Sequence, residues 1–283
     1  QACYQIAKEF DIEPYDEHTG KGVLRHIIGR IGQSGWMIIL VTATEQLPYK
    51  EKWVEKLTER IPQVETIVHN VNGKRTNVIL GPKNNILYGD GTITDHIKDL
   101  QFTLSPHSFF QVNPEQTTVL YDQALEYADL KGDETVIDAY CGTGTISLFL
   151  AHKAKHVIGI EIVEPAIINA RENARNNGYD NTEFIVADAA VEMPKLYNAG
   201  VRPDVIVFDP IRAGCKEEVL TSAASMEPKR IVYVSCNPAT MARDIEILTH
   251  YGYELQEVQP VDMFPMTAHV EAVALLTRNN VTQ

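Results

Sequence analysis

The chain has 283 residues, 44% of them hydrophobic and 22% charged, which is a globular composition long enough for two domains. Its 25 Lys and Arg against 38 Asp and Glu give a net charge of −13, so the chain is not basic throughout as many nucleic-acid binders are. No run of 18 apolar residues occurs, so no transmembrane helix and no membrane partner are expected.

Residues 1–100 read as a small α+β module. Val23–Ile28 and Trp36–Val41 are strand-like and joined by the hairpin loop Gly32-Gln33-Ser34-Gly35. Pro48–Ile61 predicts an amphipathic helix stopped by Pro62. Val64–Val71, Asn77–Leu80 and Asn85–Tyr88 are short strand candidates, separated by Asn72-Gly73 and Gly81-Pro82. After residue 100 the pattern changes. Apolar runs at Thr135–Ala139, His156–Ile160, Thr182–Val186, Val205–Phe208 and Arg230–Ser235 alternate with helical patterns at Thr145–Lys153, Pro165–Asn177, Lys216–Met226 and Met241–His250. Such alternation predicts an α/β fold, a doubly wound parallel sheet covered on both faces. Glu254–Pro260 and His269–Leu276 then add an antiparallel last hairpin. The domains expected are 1–95 and 96–283.

The charge is unevenly spread. Residues 1–100 hold 12 basic and 13 acidic residues, the remainder 13 and 25. A local basic patch is therefore possible only from Lys21, Arg25, His26 and Arg30, from Lys50, Lys52, Lys56 and Arg60, or from Lys74 and Arg75. A phosphate-bearing partner needs such a patch, although charge runs of this kind are more often plain solvated faces. The first residue is Gln and no secretory-signal pattern follows it, so a fragment or processed product is expected. Cys3, Cys141, Cys215 and Cys236 are too few for a disulfide framework and have no metal-ligand spacing. A reducing, cytoplasmic setting and no metal are the expectation.

Val136–Thr145 reads as strand, glycine turn and helix start. Gly142 and Gly144 let backbone approach a ligand. The third glycine of a dinucleotide fingerprint is missing, and Asp138 before the turn suits a cation better than a pyrophosphate. Glu161 ends the next strand, where a carboxylate accepts hydrogen bonds from ribose hydroxyls. Asp188 follows the third strand, placed to meet an adenine amino group. Three carboxylates on successive tips suggest S-adenosylmethionine, whose sulfonium and amine are positive.

Asp209-Pro210-Ile211-Arg212 follows the fourth strand. An amino-group methyltransferase typically has an aromatic residue where Arg212 stands, which argues against methylation of an exocyclic amine. Val234-Ser235-Cys236-Asn237-Pro238 follows the fifth strand, and helix N-terminal amides there are expected to favour the Cys236 thiolate. His269 and Glu271 open the last strand on one face, with Glu271 a candidate general base near Cys236. Taken singly, Cys236 reads first as a buried structural thiol and Glu271 as a salt-bridged strand residue.

Together these pieces resemble the RNA uracil-C5 methyltransferase family, which makes 5-methyluridine in tRNA and ribosomal RNA. The resemblance runs through Phe109-Phe110-Gln111-Val112-Asn113, Asp138–Gly144, Asp209–Arg212, Ser235-Cys236-Asn237-Pro238 and His269-Val270-Glu271. It implies a class I methyltransferase fold in which Gln111, Tyr140, Glu161 and Asp209 bind S-adenosylmethionine; Gly142 and Asp188, read above from the glycine turn and the third strand tip, complete the expected cofactor site. It implies Cys236 as nucleophile toward uracil C6 and Glu271 as base. Arg212 would orient the uracil or stabilise charge on its carbonyls, and Phe109, Phe110 or Phe264 would stack on a base taken out of its own stack, if they are not core residues. The motifs resemble the bacterial 23S ribosomal RNA branch more than the tRNA branch. A tRNA enzyme, or a non-catalytic RNA- or S-adenosylmethionine-binding protein of the same fold, stays open.

Gly22–His26 resembles the family's RNA-contacting strand. Ile211 departs from the family motif, which has a second proline there, so a less rigid turn is expected. Neither the N-terminal β-barrel of many relatives nor an iron–sulfur cluster is expected in this chain, since one cysteine near the start cannot build a cluster. No obligatory protein partner is expected.

Overall fold

The computed structural model describes residues 1–279. The chain divides into two compact units, one of Gln1–His96 with Phe102–His107, the other of Ile97–Gln101 with the chain from Ser108 onward.

The first unit begins with helix α1 (Ala2–Glu9) and carries a four-stranded sheet in the order β1 (Leu24–Ile31), β2 (Trp36–Thr42), β3 (Val64–Val71), β4 (Lys83–Tyr88). β2 is apolar without alternation and is buried beyond its first residue, which marks it as a central strand. β1 and β2 form the expected hairpin, Ile31 opposite Trp36. Helix α2 (Lys50–Arg60) makes the crossover to β3, parallel to β2. Trp53 and Leu57 of α2 pack with Ile6 of α1 and with Ile38, Leu40 and Ile67 of the sheet. Burial of such side chains contributes about 1.5–3 kcal/mol each.

Asn77–Leu80 is not the strand expected. The Asn72 amide donates to the carbonyls of Val78 at 2.7 Å and Ile79 at 3.0 Å, so those groups are spent inside a loop. Two short strands, β5 (Ile93–Ile97) and β6 (Leu100–Leu104), then pair with each other.

The second unit holds a seven-stranded sheet in the order β12-β13-β11-β10-β7-β8-β9. Its strands are β7 (Thr135–Asp138), β8 (His156–Glu161), β9 (Thr182–Val186), β10 (Val205–Phe208), β11 (Arg230–Ser235), β12 (Tyr253–Val261) and β13 (Glu271–Arg278). β7 to β11 run parallel, and β13 enters antiparallel between β11 and β12. This is the doubly wound sheet with an antiparallel last hairpin, the class I methyltransferase architecture. The strand order reverses between β7 and β10, and the crevice at their C-terminal ends is where such sheets take ligands.

Helices α3 (Pro114–Ala128), α4 (Thr145–Ala151), α5 (Glu164–Asn176), α6 (Ala189–Asn198), α7 (Glu217–Ser225) and α8 (Pro238–His250) cover the sheet. The sequence reading did not include α1, α3 or α6. Asn113 caps α3 by accepting from Gln116 N–H at 3.3 Å, with Pro114 at the first helical position. Asp188 caps α6, which accommodates Pro194 in its interior.

Candidate active site

Five strand tips and the start of β13 converge at the C-terminal edge of the parallel strands. Asp138 ends β7 and is fully buried. Its Oδ2 accepts from Ser147 Oγ at 2.6 Å, whereas its Oδ1 and the nearby Thr143 Oγ1 have no partner. Burial, and more weakly the Glu161 carboxylate, push its pKa up to about 6. Gly142 has φ +53 and a Cβ there would meet nothing within 4 Å, so its backbone is required rather than its size. Glu161 Oε1 accepts from Val163 N–H at 2.9 Å and Oε2 from Gly142 N–H at 3.3 Å, tying the tip of β8 to the glycine turn.

Asp188 is already engaged. It accepts from Ala190 N–H at 3.0 Å and from Lys216 Nζ at 2.7 Å, and the lysine holds its carboxyl below the usual carboxylate range. Gln111 is buried just before α3, and Asn113 Nδ2 donates to Met263 O at 3.2 Å, which ties this segment to the loop before β13. Tyr140 is half-buried beside Phe208, ring centroids 6.5 Å apart.

Asp209 follows β10, and burial together with the Glu271 and Asp138 carboxylates raises its pKa well above the ordinary range. Cys236 follows β11. In the β11–β13 ladder Ser235 pairs with Ala272, so Cys236 and Glu271 stand one position beyond, at the ends of neighbouring strands. Glu271 is buried, and desolvation raises its pKa against the opposing effect of Arg212. Burial and the Glu271 and Asp209 carboxylates raise the Cys236 thiol, while Arg212 lowers it. The expectation of a thiolate favoured by helix amides is thereby corrected in direction: desolvation and the two carboxylates raise the Cys236 pKa instead of lowering it.

Arg212 is exposed, and its Nη1 lies 3.3 Å from His269 Nδ1. The Phe264 ring meets the His269 ring edge-on at 6.3 Å. His269 is not part of β13, which begins at Glu271, so the shared-face argument fails for it. It is the loop, not strand alternation, that brings His269 to Arg212. Phe109 is 72% exposed and thus not a core residue. Sequence reasoning missed Asn237 and Thr240, which donate to the Arg212 carbonyl at 3.1 and 3.3 Å. The signal was there, since Asn-Pro directly after a strand is a helix cap.

Most of the expected basic patches are spent. Lys56 and Arg60 pair with Glu9, Lys52 with Glu55, and Lys50 faces Glu51 at 3.7 Å. The Arg25 side chain is 2% exposed and donates to the carbonyls of Asn72 and Lys74, both at 2.7 Å. It clamps the 72–76 loop and is not presented to a phosphate. Arg75 donates to Thr19 O at 2.7 Å, leaving Lys21 and Lys74 exposed nearby.

Among the described residues no group of three or more His, Cys, Asp or Glu is placed to hold a metal ion, and no helix is long and apolar enough to cross a membrane. The carboxylates of Asp138, Glu161 and Asp209, with the orphaned Asp138 Oδ1, make a donor set that fits a cationic ligand with hydroxyls to be held.

Comparison with known proteins agrees with this chemistry. The chain is 55% identical over 278 residues to an uncharacterized RNA methyltransferase of Halalkalibacterium halodurans, covering 98% of this chain and 61% of that protein. It is 54% identical over 275 residues to one of Clostridium acetobutylicum, covering 96% and 59%. The chain thus spans about three-fifths of the curated relatives it matches. Among solved structures it is similar to the Pyrococcus abyssi tRNA (uracil-54, C5)-methyltransferase in complex with S-adenosyl-L-homocysteine, with 30% identity and a TM-score of 0.80, covering 98% of this chain and 65% of that one. With the tRNA (uracil-5-)-methyltransferase family model matching residues 39–279, across both units, the chain belongs to that family.

Proposed function

We propose that this chain carries the catalytic apparatus of an S-adenosylmethionine-dependent RNA (uracil-C5) methyltransferase, with Cys236 as nucleophile and Glu271 as base. The observation that carries the reading is the ladder that sets Cys236 beside Glu271, with Arg212 acting electrostatically on both. Gln111, Tyr140, Gly142, Glu161 and Asp209 would hold the cofactor, and Asp188 would offer its remaining lone pairs to the adenine amine. When bound, S-adenosylmethionine supplies an electrophilic methyl group.

Uracil C5 is too weak a nucleophile for that methyl group unaided. Cys236 loses its proton to solvent, and its sulfur adds to C6, so that the electron pair of the C5–C6 double bond becomes available at C5. Arg212 stabilises the negative charge that spreads onto the adjacent carbonyl. Once C5 carries the methyl group, Glu271 removes the C5 proton. The electron pair re-forms the C5–C6 bond and the C6–sulfur bond breaks, restoring the Cys236 thiolate. The exposed Phe109 offers a surface for a base removed from its stack.

The substrate we propose is a uridine of 23S ribosomal RNA, on the resemblance of the motifs. A tRNA uridine is the second reading, favoured by the activity of the similar Pyrococcus abyssi enzyme. RNA containing 5-fluorouridine tests the chemistry. Its fluorine cannot leave as a proton does, so the wild-type protein should remain covalently attached through Cys236. Absence of an adduct, or an adduct with Cys236→Ala, overturns the assignment. Mapping the labelled nucleotide after methylation of total RNA decides between the two substrates.

A further inference from the structure

The Arg212 loop is fastened from beneath by a buried ion cluster to which the mechanism above gives no role. Asp244, on α8, is fully buried. Its Oδ2 accepts from the Cys215 backbone N–H at 2.7 Å and from the Tyr233 hydroxyl at 2.6 Å. Its Oδ1 accepts from Arg243 Nε at 2.8 Å and Nη2 at 2.6 Å. The same Nη2 reaches the carbonyls of Ala213 at 3.0 Å and Cys215 at 3.4 Å. The fit is close. A Cβ at Gly214, whose φ is +80, would lie 2.6 Å from both Arg243 Nη2 and Asp244 Oδ2. With Asn237 and Thr240 holding the Arg212 carbonyl, α8 and the residue that caps it anchor the backbone at Arg212, Ala213 and Cys215. That helix starts two residues after Cys236.

We propose that Asp244, with Arg243, is a positioning residue for the reaction: it buckles the Arg212 loop onto α8 and so fixes the guanidinium relative to the Cys236 sulfur. A carboxylate suits the task because it accepts from a backbone amide, a phenol and a guanidinium at once, which no neutral side chain does. The cluster touches no reacting atom and acts only through Arg212. The inference rests on the proposed function only in taking Cys236 and Arg212 as the reacting pair.

The test reads the pH dependence of iodoacetamide alkylation at Cys236, followed on its own peptide by mass spectrometry so that Cys3, Cys141 and Cys215 do not interfere. The charged groups acting on that sulfur are Glu271, Asp209 and Arg212. Losing or displacing Arg212 raises the alkylation midpoint. Asp244→Asn should therefore shift the midpoint to higher pH, as Arg212→Gln does, and the double variant should shift it no further than Arg212→Gln alone. In RNA methylation Asp244→Asn should lower kcat on the order of ten- to a hundredfold, the scale of a small misplacement, with KM for S-adenosylmethionine unchanged. A lower melting temperature with an unmoved midpoint, or additive shifts in the double variant, overturns the proposal. Should Asp244→Asn not fold, Arg243→Gln, whose side chain is half exposed, is read by the same criteria. Alkylation needs no methyl transfer, so a wild-type protein inactive on RNA would refute the proposed function while the midpoints still decide this coupling.

Discussion

The Arg212 guanidinium stands 3.3 Å from Nδ1 of His269. Arginine has only donors, so Nδ1 must present a lone pair and the imidazole proton must sit on Nε2. The contact restrains the exposed guanidinium. His269→Gln can accept the same bond and should keep kcat within about threefold, whereas His269→Phe loses it and should fall roughly tenfold, the value of a modest hydrogen bond. Equal rates for the two variants would show that the contact is idle.

Glu271 makes Cys236 harder to ionise, and is itself hard to ionise because it is buried. The Glu271 anion lifts the Cys236 thiol pKa, and burial lifts that of Glu271 itself. Both groups must be deprotonated to act, so adduct formation and turnover should rise with pH through these elevated values and fall on acidification. Glu271→Gln removes an anion beside the sulfur. At fixed neutral pH it should therefore speed Cys236 alkylation while stalling product release, so that a methylated covalent complex accumulates. Slower alkylation, or free turnover, contradicts the pairing.

Asp138 has a folded-state pKa of about 6, above the unfolded value. The folded chain thus binds the extra proton. This group favours folding below its unfolded pKa and loses that contribution as pH rises through about 6. Above pH 7 the buried anion costs on the order of 3 kcal/mol, part of which its bond from Ser147 already reflects. Asp138→Asn should raise the melting temperature at pH 8 by the equivalent of about 1 kcal/mol and have little effect at pH 4, while weakening S-adenosylmethionine binding in calorimetry. A loss of stability at pH 8 would contradict this.

Arg25 serves the first unit rather than a ligand. Arg25→Ala leaves the carbonyls of Asn72 and Lys74 without their donor and should cost roughly 2–4 kcal/mol in denaturant unfolding. The slope of RNA affinity against salt should stay unchanged in the folded variant, because no phosphate contact is lost. A slope smaller by about one charge would mean that Arg25 reaches the RNA.

The fully buried strands were the legible part of the sequence. β10 has the limits its apolar run predicts, because a strand covered on both faces needs continuous apolar residues, and β3 keeps its expected limits although Glu65, Thr66, His69 and Asn70 interrupt the run. The capped helices were not. Asn113 and Asp188 were read as motif and ligand residues, which hid the starts of α3 and α6, and Pro194 disguised the interior of α6. The loop at Asn77–Leu80 looked like a strand because its two saturating donors, from Asn72, belong to side chains outside the pattern. In the site, the tip positions of Asp138, Glu161, Asp209 and Cys236 followed from strand-ending rules. The effect of Glu271 on Asp209 and Cys236 did not, since it depends on β13 entering between β11 and β12.

That insertion has a consequence for the life of the chain. A ribosome that has delivered Cys236 has still to make 35 more residues before Glu271 exists. Until β13 slides into its gap, the sulfur borders an unfilled slot in the sheet, with Asp209 but not Glu271 beside it. On the proposed roles, a nascent or truncated polypeptide lacking β13 would form an adduct that it could not resolve.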